Sequence, residues 1–233
     1  MARKNKEDVG RIYVADLAAY NAGRLRGDWI TPSGDVDELA EQIQDVLRSH
    51  KRKGEPVSEE WAIHDYDGFP DMGEYPGLKE LAAMANALES CNNPEALRVL
   101  MAAEPYYAED VDAAVSYVDD NFIGIYKDAS RELVDEWLDE GIISEEQIAN
   151  HFDAEAFGRD ARMDLDEEED AWAADMSDKE LGEHYFDEMG ADGLGKKTLR
   201  TYFDGESFYR DLELGGDITV YHHGGKDYVF HTA

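Results

Sequence analysis

Ile12 and Val14 alternate with polar neighbours, the period-two pattern of a half-buried strand. After a Gly-rich loop, Trp29 and Ile30 begin a second short apolar segment. Asp35 stands three residues ahead of Glu38, the spacing of a capping box. Leu39, Ile43, Val46 and Leu47 then fall at i, i+4, i+7 and i+8, one face of a helix. That helix is expected to end near Lys51, Arg52, Lys53 and Gly54, where cations suit the negative end of the helix dipole. The stretch "EWAIHDYDGFP" (60–70) starts as a strand and breaks at Gly68 and Pro70. Residues 10–66 therefore read as a small α+β domain behind a flexible basic tail over 1–9.

From 67 to 118 the apolar period becomes helical. Leu78, Leu81, Ala82 and Ala85 form one stripe. Asn92-Asn93-Pro94 marks a turn, with Pro94 suited to a helix start. Leu97, Leu100 and Met101 form the next stripe, which Pro105 is expected to end. Val111, Ala114, Val115 and Val118 form a third. Three short helices of this kind predict a helical middle domain packed as a mini-bundle.

The rest of the chain repeats itself. "HFDAEAFGRDARM" (151–163) aligns with "YFDGESFYRDLEL" (202–214), and upstream "SRELVDEWLDEG" (130–141) resembles "DKELGEHYFDEMG" (178–190), with one extra residue in the second copy. Each copy predicts helix, turn, short helix. A strand at 122–126 precedes the first copy. In the second, strands at 218–221 and 228–230 follow, joined through "HHGGKD" as a hairpin. The expected domains are 119–166 for the first repeat unit and 167–233 for the second, with its hairpin. "DLDEEED" (164–170) is expected to cap a helix running through Trp172 and Met176.

Composition allows real cores: 42% of the residues are hydrophobic and 11% aromatic, too many for a disordered acidic tail. No apolar run is long enough for a membrane span. The basic start is not followed by the apolar stretch of a signal peptide. Cys91 is the only cysteine, so no internal disulfide forms, which fits a reducing cytoplasm; it reads as a small buried hydrophobe.

Charge changes the picture most. The formal net charge is −33, far beyond the magnitude of roughly 2–8 that solubility asks of a small domain. Residues 1–60 hold 10 Lys and Arg against 12 Asp and Glu, whereas residues 61–233 hold 12 against 43. Halophilic adaptation would coat the first 60 residues too. On the 130–140 helix, Leu133, Val134, Trp137 and Leu138 face one way. Glu132, Asp135, Glu136, Asp139 and Glu140 face the other, with no basic i+4 partner except Arg131 at the edge. Like charges at i,i+4 destabilise a helix by a few tenths of a kcal/mol per pair, roughly. B-DNA carries about one negative charge per 1.7 Å of axis. Carboxylates held on rigid helices resemble that spacing, and a cationic groove built for phosphates would accept either.

The stretches "RIYVADLAAYNAGRLRGDWI", "WAIHDYDG" and "GEYPGLKELAAMANAL", with the closing "FDxExFxRD" and "DYVF", resemble the ArdA antirestriction proteins. The resemblance implies an α+β protein built as an elongated array of small domains, acidic and non-enzymatic, cytoplasmic, without cofactor, and forming homodimers. It further implies a DNA mimic that binds the methyltransferase and specificity subunits of a Type I restriction-modification enzyme, not nucleic acid or membrane, and protects incoming DNA of mobile elements and phages. One departure stands out. The "FDxExFxRD" segment occurs twice here, so residues 167–233 form a second, partial copy. Phe152 and Phe157 are expected to bury, and Arg159 to pair with a local carboxylate.

The carboxylates expected to replace phosphates are Glu109, Asp110, Asp112, Asp119 and Asp120; Glu132, Asp135, Glu136, Asp139 and Glu140; and Asp164, Asp166, Glu167, Glu168, Glu169, Asp170, Glu183, Asp187 and Glu188. The alternative is an acidic chaperone for a basic protein, or an inhibitor of another basic nucleic-acid-binding protein. Enzyme signals are weak. "DLDEEEDAWAAD" (164–175) fits a calcium loop at positions 1, 3 and 5 but places Glu169 where that loop needs Gly. Adjacent His222 and His223 in a strand point to opposite faces, which disfavours a metal site with Asp227. "HDYD" (64–67) reads as a strand end, and "GADGLGK" lacks the spacing of a phosphate-binding loop.

Overall fold

The computed structural model describes residues 9–49, 51, 58–166 and 170–232. Residues 1–8 of the expected tail and most of the Lys51 to Gly54 cluster lie outside them; Val9, placed in that tail by the sequence, is instead buried. The chain divides into two units, 1–122 and 123–233.

In the first unit, β1 (Arg11–Asp16) is central in a three-stranded sheet, flanked by β2 (Gly27–Ile30) and β3 (Trp61–Asp67), both antiparallel to it. Ile12 and Val14 are fully buried, as their alternation predicts. A bulge at His64 of β3 shifts the register between Tyr13 and Val14, and Ala15 and Asp16 at the end of β1 are buried as well. Asp16 spends its carboxylate on the backbone N–H of Ala19, capping the short α1 (Leu17–Asn21). α2 (Val36–Ser49) lies against β1 and β2 and buries Leu39, Ile43, Val46 and Leu47. Asp35 does cap it, through the N–H groups of Asp37 and Glu38, but the box is not closed. The Glu38 carboxylate instead accepts the Ser33 hydroxyl at 2.8 Å.

α3 (Leu78–Ser90), α4 (Pro94–Ala103) and α6 (Val111–Asn121) are the three expected helices, and they pack on one another. A fourth was not expected. α4 ends at Ala103, and Pro105 opens α5 (Pro105–Glu109) rather than merely terminating its predecessor. Proline lacks an N–H and has a fixed φ, so it serves equally as a helix stop or a first helical residue. Cys91 is fully buried after α3.

The second unit carries the repeat. α7 (Ala129–Glu140), α8 (Glu145–His151) and α9 (Ala154–Arg162) form the first copy. The second is α10 (Asp178–Tyr202), broken at Gly190 and Gly195, followed by α11 (Gly205–Gly215). Gly141 and Gly190 both adopt positive φ at the end of the first helical stretch of their copy. Asp153 and Asp204 each accept the backbone N–H three residues on, capping α9 and α11 identically. Trp172 does not continue a helix. It sits in a 3-10 turn at Ala171–Ala173, and α10 starts only after Ser177, whose capping box with Glu180 outcompetes the acidic run upstream.

β5 (Ile218–His223) and β6 (Lys226–His231) form the expected hairpin, and β4 (Phe122–Tyr126) completes a sheet of order β4-β6-β5. Asp227 in β6 accepts the Ala129 N–H at 2.9 Å, so the hairpin supplies the cap of α7; its other oxygen holds His222 Nδ1 at 2.6 Å.

α9 crosses α10 at Gly158 and Gly182. A Cβ on Gly182 would overlap the backbone of Ala154, and one on Gly158 the carbonyl of Asp178. Gly182→Ala should therefore destabilise the unit by about 1–3 kcal/mol despite Ala being the better helix former. Urea unfolding checks this; a neutral or stabilised variant would show that the helices can part freely.

Candidate functional site

The candidate carboxylates divide by what their own fold already does with them. On α6, Asp110 accepts the Ala113 N–H at 3.0 Å and caps the helix. Asp119 accepts the Asn92 N–H at 2.8 Å and the Cys91 thiol at 3.5 Å, tying α6 to the α3–α4 turn. Glu109, Asp112 and Asp120 are exposed, and no described residue bonds their carboxylates.

On α7 the split into two faces is as the sequence predicts. Leu133, Val134 and Leu138 are buried, while Glu132, Glu136, Asp139 and Glu140 are exposed and Asp135 is partly so. The stripe has no basic i+4 partner within α7 apart from Arg131, as expected, but cations reach it from elsewhere in the unit. Arg200 pairs with the Asp139 carboxylate, and Lys196 Nζ donates to the Asp139 carbonyl. Both cations come from α10, about sixty positions away, which no i+4 rule detects. Glu132 accepts the Lys127 N–H at 3.2 Å, and Glu136 accepts the Tyr126 hydroxyl at 3.0 Å. Asp135 and Glu140 make no hydrogen bond or ion pair with a described residue.

Tyr126 reports the local field. Its phenol is held well above its ordinary pKa, first by burial, then by the Glu136 hydrogen bond and the neighbouring Glu136, Glu140 and Glu132 carboxylates. Tyr209 is raised too, by burial and then by Glu213, Asp227 and Asp128. A phenol whose folded pKa is raised stabilises the fold fully below its ordinary pKa near 10, and that contribution is lost as pH rises through the folded value. Unfolding free energy should thus fall above pH ~10. The fall should be shallower in Tyr126→Phe, measured by urea titration across that range; equal slopes would contradict the shift.

In the third segment Asp164 is exposed and unbonded, whereas Asp170 accepts the Asp166 N–H at 2.9 Å and Trp172 Nε1 at 3.3 Å. Glu167, Glu168 and Glu169 lie outside the described residues. On α10, Glu183 pairs with Lys179 at 3.5 Å, and Asp187 and Glu188 project into solvent without a partner. Glu206 and Glu213 on α11 are also exposed, and they were not among the candidates. Their spacing of seven residues puts them on one helical face, a signal that the structural reading of the "FDxExFxRD" segment leaves unused. Of that structural reading the Arg159 part holds, since Arg159 pairs with Glu155 at 3.7 Å, whereas Phe152 and Phe157 are only partly buried.

The candidate carboxylates are thus mostly exposed groups on helices, few of them paired with a cation among the described residues. Among the described residues no group of three or more His, Cys, Asp or Glu side chains is placed to hold a metal ion. No described helix is long and apolar enough to cross a membrane.

Residues 12–171 match the family model described as antirestriction protein (ArdA), more than half of the chain. The chain therefore belongs to the ArdA family of antirestriction proteins. No curated protein and no solved structure matches the chain.

Proposed function

We propose that this chain inhibits restriction by DNA mimicry. It occupies the DNA-binding groove that the methyltransferase and specificity subunits of a Type I restriction-modification enzyme form, in the cytoplasm, without catalysing a reaction. The observation that carries this reading is the set of unbonded carboxylates, exposed or partly so, on helices: Glu109, Asp112 and Asp120 around α6, Asp135 and Glu140 on α7, and Asp187 and Glu188 on α10. Helices hold such groups several Å apart at fixed positions, so the ordering cost is met on folding and not on binding. Their mutual repulsion destabilises the free protein and is relieved against a basic surface, which also speeds association. Phe152, Phe157 and Arg159 belong to the scaffold. Homodimerisation, which the family resemblance implies, belongs to this reading.

The test is titration of the protein into a Type I restriction-modification enzyme holding fluorescent cognate DNA, at several salt concentrations. Near-stoichiometric displacement that weakens as salt rises supports mimicry. No displacement at large excess and low salt rejects this target. Equal binding to many unrelated basic proteins would favour an acidic chaperone.

A further inference from the structure

The second unit encloses a cavity of about 510 Å³ between the end of α7, the start of α8 and the broken middle of α10. That volume suits a small molecule. The break in α10 opens the space: Gly190 and Gly195 leave the helical region, at φ 66° and 77°, and a Cβ on Gly195 would meet nothing within 4 Å. Glu145 accepts the Ala191 N–H at 3.3 Å and ties α8 to the break. The cavity side chains are of two kinds. The buried ones, Leu138, Ile143, Ile148, Ala191 and Leu199, are all apolar and form a floor. The exposed ionisable ones are four carboxylates, Asp139, Glu140, Glu145 and Asp192, against one amine, Lys196. Leu138 to Gly141, the last turn of α7 and its cap, also line the space, so the negative end of the helix dipole lies there. The Lys196 ammonium already donates to the Asp139 carbonyl at that end. A primary ammonium on an aliphatic stem is thus the group that this wall receives from the chain itself.

From this geometry we infer that the cavity is a binding site for a linear aliphatic polyamine, whose ammonium groups meet the carboxylates at the rim while its methylenes lie on the apolar floor. Aliphatic amines are charged at neutral pH. Glu140 and Asp192 make no hydrogen bond or ion pair with a described residue, so both are open to an ammonium. A single metal ion fits less well: among the described residues no group of three His, Cys, Asp or Glu is placed to hold one. Carboxylates spread around an apolar floor match charges that are themselves spread along a chain. A guanidinium or quaternary ammonium gains from an aromatic face, and none lines the cavity among the described residues. A bound polyamine also offsets the repulsion among the rim acids.

Calorimetric titration of the full-length protein with propane-1,3-diamine, butane-1,4-diamine, pentane-1,5-diamine and spermidine tests this, in about 0.15 M salt to screen diffuse attraction. The expected result is one site per chain, with affinity rising by about two- to fourfold for each methylene that reaches the floor. Mg2+, with the charge of a diamine and no methylenes, should bind more weakly. Glu140→Gln with Asp192→Asn should weaken binding by about three- to tenfold. Glu109→Gln with Asp112→Asn removes the same charge from the first unit and should change it by less than about twofold. No saturable binding, many equivalent sites, no dependence on chain length, Mg2+ binding as tightly as the diamines, or equal losses in the two double variants would each overturn the inference. The length series uses the unmodified protein, so it decides the matter even if a variant fails to fold. Amide NMR shifts on adding spermidine locate the site: changes at Gly141, Ala191 and Gly195 support it, and changes only elsewhere overturn it. None of these measurements involves a restriction enzyme, so this inference and the inhibitory function fail separately.

Discussion

Replacing Asp135, Glu140, Asp187 and Glu188 together by their amides should weaken displacement of DNA from the restriction-modification enzyme by about eight- to thirtyfold, taking ~0.3–0.5 kcal/mol for each solvent-exposed charge pair. Any one of the four alone should cost about twofold, because the interaction is spread over many weak contacts. These positions are chosen because their carboxylates are exposed or partly so and serve no other purpose in the fold. Asp139 is left out since it holds Arg200, and Asp110 and Asp119 since they cap and tie α6. The four-fold variant also reduces the salt dependence of binding, as fewer charges meet the basic groove. Removing like charges relieves repulsion, so the variant should be no less stable than the parent. Unchanged displacement with an intact circular dichroism spectrum would move the contact surface away from α7 and α10.

The elements that local pattern sets were legible in the sequence. Leu39, Ile43, Val46 and Leu47 bury one face of α2, and the His222 to Asp227 stretch forms the hairpin turn region between β5 and β6. The repeat, too, is visible as matching residues. What pattern does not contain is the partner across space. The Arg200–Asp139 pair and the Asp227 cap on Ala129 join positions 61 and 98 residues apart, and both alter which carboxylates stay free. Pro105 and Ser177 show a second limit. Each local signal had two outcomes, and packing or a better cap chose between them. Acids that cap, tie or pair look the same in a sequence as acids that do not, so the candidate carboxylates include Asp110, Asp119 and Asp139, which the fold itself already uses.

Phe208→Ala should destabilise the second unit by about 3–5 kcal/mol, and Phe157→Ala by only about 1–2 kcal/mol, although the two residues hold the same place in the repeat. Phe208 is 2% exposed, in a core with Leu133, Leu212, Ile218 and Val229, whereas Phe157 is half-buried against Tyr185 and Tyr202. The sheet makes the difference. It packs on the α7–α11 side of the unit, where Ile218 and Val229 close the core. On the α9–α10 side the close approach at Gly158 and Gly182 replaces side-chain bulk, so less apolar surface is covered. The same asymmetry separates Phe203, which is buried, from Phe152, which is not fully so. Urea unfolding followed by hydrogen exchange of the α7 and α11 amides isolates this unit from the first. Equal losses for the two variants would mean that the repeat packs symmetrically, and the sheet would then contribute nothing specific to the α7–α11 side.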